Sequence, residues 1–438
     1  MPLSDDEREM RNLARRIFER ALAEASVEKA FERQVECDHG ILRIGSDLYP
    51  LNSYSRVFVT AIGKAAHSLV EALQQRTGSR FEGIVASSLE PASQLRGFRY
   101  FRGGHPTPNA ESVRAAEAML KSLRTLDESA LAIFLVSGGG SAMAEKAIDG
   151  EISLEELIST YRALVHGGAP IGGINAIRKH LSAVKGGRLA GAAHPAKQVS
   201  ILVSDVPDNT PDALASGPTM PDSTTAEDCY ALAKKYHLLE QFPASVRKLF
   251  ERRALEETPK KDSEMFAGAR WWTVLSNKTV IDTASAAAAE AGFAVEVDNR
   301  CDDWEYQRAA DYLLNRVREL RQKTERACLI SGGEVTVTVK DGGTGGRNQQ
   351  FALACAAKIG GQQMTVLSAG TDGIDGNSPA AGAVVDGTTV TRASALGLDA
   401  GAHLAGFNAY PLFDRIGDAV MSGATGNNLR DLRLLLAF

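Results

Sequence analysis

Six short apolar runs recur along the chain, at residues 57–62, 132–136, 199–203, 272–275, 327–330 and 364–367, and most are rich in β-branched residues. Each ends in a cluster of glycine and small polar residues. After the first run stand Gly63 and Lys64; after the second, Ser137, Gly138, Gly139, Gly140 and Ser141; after the third, Ser204 and Asp205. Ser276 and Asn277 follow the fourth run, Gly332, Gly333 and Glu334 the fifth, and Thr371, Asp372 and Gly373 the sixth. Patterns of helical period follow at 65–75, 110–126 and 349–358, with an alanine-rich stretch at 284–289. Ser4, Asn109, Ser153 and Thr225 stand where N-caps are expected, the last two as capping boxes with Glu156 and Asp228.

Short buried strands alternating with helices predict βαβ units and a parallel sheet covered on both faces. The fold class is α/β: a Rossmann-like, doubly wound parallel sheet domain and a second, smaller α/β domain, with a cleft between them. The second sheet is expected to be mixed, because 334–339 reads as a strand directly after a turn. The polar stretch 256–262 is the best linker, dividing the chain into 1–258 and 259–438. Right-handed crossovers gather the polar clusters at one sheet edge, where ligands of open α/β sheets bind.

Composition narrows the function. The chain has 438 residues, 44% of them hydrophobic, with 49 lysines and arginines against 54 aspartates and glutamates. No apolar run reaches the roughly 18 residues of a spanning helix, so no membrane partner is expected. A net charge of −5 argues against a nucleic-acid binder. Five cysteines without a C-x-x-C pair argue against a disulfide framework or a zinc site and fit a reducing cytoplasm. The acidic start has no signal-peptide core. A homodimer is a base-rate expectation only.

The clusters themselves suggest phosphate chemistry. Lys64 follows a strand and a glycine at the start of a helix, a place suited to phosphate or carboxylate. It is no Walker A motif. The 137–141 cluster lets the backbone approach an anion, while Met143 breaks the G-x-S-x-G pattern of a serine hydrolase. Gly345 and Gly346 precede Arg347 and Asn348 at a helix start, where a cation is disfavoured unless an anion is near. The stretch 175–189 reads as a helix with Arg178 and Lys185 on one face. Asp205, Glu334 and Asp372 each close a strand and could hold magnesium, or accept a hydroxyl proton. Asp375 is less distinctive, because Asp-Gly is also a common turn. No G-x-G-x-x-G and no protein-kinase motif set occurs. The residues therefore point to phosphoryl transfer on a small ligand.

Taken together, the segments 62–66, 136–142, 175–189, 204–208, 215–219, 331–334, 345–349 and 369–376 resemble, in order, the MOFRL-type glycerate 2-kinases. Some members of that family carry the label hydroxypyruvate reductase. The resemblance implies ATP- and Mg2+-dependent phosphorylation of D-glycerate at its 2-hydroxyl. It implies catalytic roles for Lys64 and Arg347 and places Asp205 and Asp372 on the family's motif aspartates; the residues' own chemistry adds Asp205 as a catalytic group and Gly63, Ser137–Ser141, Arg178, Lys185, Gly345, Gly346 and Asn348 as candidate ligand contacts. Asp205, Glu334 and Asp372 are the expected metal ligands. An NAD(P)H-dependent reductase is the competing reading. Residues 297–305 and 423–426 depart from the family's usual wording.

Overall fold

The computed structural model describes residues 4–339 and 342–438. The chain forms two compact units, one of residues 27–274 and one combining residues up to Ser26 with Leu275–Phe438.

The first unit opens with a small antiparallel sheet of β1 (Val35–Asp38), β2 (Ile41–Ile44) and β3 (Asp47–Pro50). Its main sheet contains β4 (Val57–Ile62), β5 (Glu82–Ser87), β6 (Phe98–Arg102), β7 (Leu131–Ser137), β8 (Lys197–Val203) and β9 (Arg270–Leu275), in the order β6-β5-β4-β7-β8-β9. The pairings from β6 through β8 are parallel. All seven residues of β7 are buried, as a central strand covered on both faces demands. Phe134, 1% exposed, is one of its core anchors, and truncating such a ring costs about 3–5 kcal/mol. A separate helical layer, including Leu154–His166, Ile171–His180, Ala226–Lys235 and Ala244–Glu251, has its own apolar core.

In the second unit the strands are β10 (Ala294–Val297), β11 (Ala327–Ser331), β12 (Met364–Gly370), β13 (Gly382–Asp386), β14 (Ala419–Val420) and β15 (Asp431–Ala437). Their order is β10-β11-β15-β12-β13-β14, parallel only between β10 and β11. The sheet is mixed, as expected, but for another reason. Residues 334–339 form no strand, only a bridge from Thr336 to Glu305. The antiparallel character comes from the C-terminal β15, which lies between β11 and β12, and from the pairings of β13 with β12 and β14. The helix Asp5–Glu24 packs on the helix Asn277–Glu290 and on β12, β13 and β15.

All six apolar runs are strands, and all four expected caps are present with capping-box hydrogen bonds. The boundary differs from the expectation at 258/259. Thr258 donates to Asp222 at 2.9 Å, the Asp222 N–H donates to the Pro259 carbonyl at 3.0 Å, and β9 then joins the first sheet. Polarity at 256–262 marks a surface loop, while strand pairing decides where the unit ends.

The single helix expected at 175–189 is also corrected. Its helix ends at His180, and a second begins at Arg188 after Gly186 and Gly187 turn the backbone.

Candidate active-site groups

In the first unit, β5 and β6 lie on one side of β4, and β8 and β9 lie beyond β7 on the other. The strand order therefore reverses between β4 and β7, and ligands of such sheets bind at that reversal. Gly63-Lys64 leaves β4 there and Ser137-Gly138 leaves β7. The Lys64 N–H donates to the Gly138 carbonyl at 3.0 Å, and the Ala65 N–H donates to Ser137 Oγ at 3.0 Å. These bonds lock the start of the helix Ala66–Thr77.

The Lys64 side chain is half-buried. Among the described residues its ammonium has no ion pair. Burial, and then the Lys64 charge, push the His105 imidazole below its ordinary range. Asp205, just beyond β8, sits against Gly138: a Cβ on Gly138 would lie 2.0 Å from Asp205 Oδ2. Only glycine tolerates a carboxylate so close, which ties Asp205 to the same edge. Ser141 Oγ and Ser216 Oγ are 2.8 Å apart.

A cavity of about 300 Å³ opens beside Gly139 and Ser141, and His105, Tyr161, Arg162 and Arg178 also line it. Arg178 lies over the Tyr161 ring, 5.0 Å from its centre. Lys185, expected on the same face, lies in the loop after the helix and is 1% exposed, with its amine paired to the buried Glu145.

In the second unit, Arg347 is the first residue of the helix Arg347–Ala356. Its Nε and Nη2 donate to the two Asp431 oxygens at 2.7 and 3.0 Å, and Nη2 also donates to Glu334 at 2.7 Å. Burial works against the charged guanidinium, yet Asp431 and then Glu334 hold its pKa above the usual arginine value. The helix is capped by Asp375, whose oxygens accept from the Asn348 and Gln349 N–H groups at 3.0 and 2.8 Å. That carboxylate lies so near the backbone that a Cβ on Gly346 would meet it at 2.3 Å. Burial, only partly offset by those two N–H groups, pushes Asp375 up to about 6. Gly345 donates its N–H to Asn377 at 2.8 Å. Asn348 is 1% exposed and accepts from Ser368 at 2.7 Å, so its side chain serves the helix start.

Asp372 follows β12, and a Cβ on Gly370 would lie 3.0 Å from Asp372 and 3.5 Å from Asp431. Glu334, Asp372 and Asp431 thus stand at one edge of the mixed sheet, with Arg347 bound to two of them. Asp302, bound twice by Arg430, accepts from the Glu334 N–H at 3.0 Å and fixes that turn.

Asp431, Asp302, Glu145 and Tyr161 were not anticipated from sequence. Asp431 opens a strand instead of closing one. Because β15 runs antiparallel to both neighbours, its first residue meets their carboxyl ends, with Asp431 opposite Gly370.

Among the described residues no three His, Cys, Asp or Glu side chains form a group that could hold a metal. Magnesium in phosphoryl transfer needs only one or two carboxylates, with phosphate oxygens and water completing the shell. Asp205, Asp372 and Glu334 are hard oxygen donors of the kind that shell takes, and Glu334 also accepts from Arg347. Asp205 belongs to one unit, Glu334 and Asp372 to the other. No helix among the described residues is long and apolar enough to cross a membrane.

Residues 13–251 match a family described as a domain of unknown function, DUF4147, and residues 327–431 match the MOFRL family. The chain is 36% identical over 397 residues to a D-glycerate 2-kinase of Thermotoga maritima, covering 89% of this chain and 93% of that one. It is 32% identical to a glycerate 2-kinase of Pyrococcus horikoshii, over 86% of each chain. A crystal structure of a Thermotoga maritima glycerate kinase superposes with a TM-score of 0.86 at 33% identity, over 98% of this chain and 100% of that one.

Proposed function

The chain belongs to the family of MOFRL-containing glycerate 2-kinases, and on that premise we propose that it transfers the terminal phosphoryl group of ATP to the 2-hydroxyl of D-glycerate. The products are 2-phosphoglycerate and ADP. The observation that carries this reading is Lys64: a cation without an ion pair among the described residues, at the strand-order reversal of a parallel sheet.

Phosphoryl transfer spreads negative charge over the equatorial oxygens, and the protein contributes mainly positioning and charge stabilisation. Lys64 supplies one positive group, held by a locked backbone turn. Arg347 supplies a second, held in one orientation by Asp431 and Glu334. The 2-hydroxyl oxygen attacks the γ-phosphorus as the bond to the bridging oxygen of ADP breaks. The hydroxyl proton passes to Asp205. Gly63 and the Ser137–Ser141 turn offer backbone groups to the phosphates, and Gly345 and Gly346 keep bulk away from Arg347. Magnesium, carried with the nucleotide, would be held by Asp205 or Asp372 and would neutralise phosphate charge.

A coupled assay of ADP release, run beside NADH oxidation on one preparation, tests the reading. ADP release that requires both D-glycerate and magnesium is the expected result. NADH oxidation with hydroxypyruvate and no ADP release overturns it.

A further inference from the structure

We infer that the cavity beside Gly139 and Ser141 receives the carboxylate of the acceptor, and that Arg178 is the group that binds it. The inference rests on the glycerate-kinase reading and assigns a place to one of its two substrates.

Charge in and behind the cavity is distributed unevenly. Its lining among the described residues includes the cationic or titratable side chains of Arg162, Arg178, His105 and His166, and no aspartate or glutamate. Behind it stands one buried carboxylate, Glu145, which is 0% exposed. Both its oxygens are occupied. Oε2 accepts from the Tyr161 hydroxyl at 2.6 Å and pairs with Lys185; Oε1 accepts from Ser182 at 2.6 Å and from the Lys146 N–H at 2.9 Å.

Two cations therefore lie near the Tyr161 ring, Arg178 at 5.0 Å and Lys185 at 5.4 Å. The fold neutralises Lys185, the one that does not line the cavity. Arg178, the one that does, has no hydrogen bond or ion pair among the described residues, and its Nε is out of contact with water. Arg178 is half-buried, and the desolvated part of a cation is costly unless it is paired. Burial accordingly lowers the Arg178 pKa. An anion in the cavity supplies the missing partner.

A guanidinium fork matches a carboxylate through two parallel hydrogen bonds, and the ring beneath Arg178 fixes its plane. Phosphate shares that oxyanion chemistry. The acceptor is favoured because the cavity, about 300 Å³, lies at the lower end of the range for small-molecule sites, with Ile158, Val165 and Pro106 as apolar walls. Tyr161, tied to Glu145, acts as a positioning residue for Arg178.

The test is steady-state kinetics of Arg178→Met and Arg178→Lys, with D-glycerate and ATP varied separately. In Arg178→Met the KM for D-glycerate should rise at least about 30-fold, the scale of truncating one partner of a buried charge pair. The KM for ATP should stay within about two-fold, and Arg178→Lys should recover part of the loss. The uncharged amide of D-glycerate gives a second reading that survives a poorly folded variant: the wild type should strongly prefer the acid, and any folded Arg178→Met protein should lose most of that preference. Calorimetric binding of D-glycerate without nucleotide should weaken in parallel. An unchanged D-glycerate KM in folded Arg178→Met, a rise confined to ATP, or a wild type that uses acid and amide equally overturns the assignment. Absence of ADP release from the wild type instead removes the reaction on which the assignment rests.

Discussion

The carboxylate of Asp431 holds the guanidinium of Arg347 by two of its nitrogens, at 2.7 and 3.0 Å, and the carboxylate is fully buried while the arginine is 36% exposed. The stem of the pair is thus inside the mixed sheet and its cationic tip is at the edge. Arg347→Ala should lower turnover by about 10²-fold, the scale of losing one transition-state donor. Arg347→Lys should recover little, because an ammonium cannot make the two-point contact with Asp431. Asp431→Asn should lower turnover with a smaller change in either KM, since the arginine remains but is no longer fixed. Rate measurements with saturating substrates check all three, and near-normal turnover in a stable Arg347→Ala protein would remove the arginine from the reaction.

In the proposed reaction Lys64 acts on the phosphoryl group and not on stability. Its amine has no ion pair among the described residues, so Lys64→Ala should melt within a few degrees of the wild type while turnover drops by about 10²-fold. The same change should raise the His105 pKa toward its ordinary value of 6.5, because a neighbouring positive charge disappears. Imidazole proton resonances followed through a pH titration report this directly. An unmoved His105 titration would mean that the two groups do not interact.

The buried Asp375 gives a signed pH dependence. Its pKa is raised from 3.8 to about 6 in the folded chain. Between those values the folded state binds more protons than the unfolded one, so this group's contribution to stability falls as pH rises through the window. Asp375→Asn cannot titrate, so the difference between wild-type and variant melting temperatures should change across pH 4–6.5, in the direction of wild-type loss. A constant difference would place the Asp375 pKa in the ordinary range.

Arg11 is a buried cation whose contacts are structural. It is 5% exposed and bridges Asp386, at 2.8 Å, to Asp418, tying the helix Asp5–Glu24 to the mixed sheet. Arg11→Ala leaves two buried carboxylates with Arg392 as their remaining cationic partner. Loss of about 3 kcal/mol or more is expected, read in chemical denaturation. Protease cleavage near residue 25 should accelerate as the helix loosens.

Asp205→Asn should raise the magnesium concentration needed for half-maximal rate if the carboxylate holds the ion. It should lower the rate at every magnesium concentration if the carboxylate takes the proton. A magnesium titration of the variant separates the two roles. A wild-type titration curve and rate would exclude both.

Much of this organisation was legible in local sequence. The six apolar runs located strands because buried parallel strands need continuous hydrophobicity, and the caps located helix starts because four N–H groups there need acceptors. Lys64 and Arg347 stood out because a charge beside glycines at a helix start has a local signature. Asp431 has none: its place beside Arg347 depends on β15 running antiparallel, which follows from pairing between strands about 60 and 100 residues apart along the chain. The expected strand at 334–339 failed for a related reason. Its alternation is strand-like, but only Thr336 finds a bridge, to Glu305. Lys185 lies off the expected helix face because that helix already ends at His180, and Gly186 and Gly187, read as helix interior, take positive φ in the turn before the next helix at Arg188.

The unit completed by β15 is assembled from both ends of the sequence, with residues 27–274 set between its pieces. This has a consequence in time. During synthesis the helix Asp5–Glu24 leaves the ribosome long before Leu275, the first residue of the partner it packs against. At ~5–20 residues per second, its apolar stripe of Met10, Ala14, Ile17 and Phe18 waits roughly 12–50 seconds for that partner. The 27–274 unit is continuous and can complete its own core during the delay. The order of emergence therefore leaves this apolar stripe without its partner until the helix Asn277–Glu290 has been made.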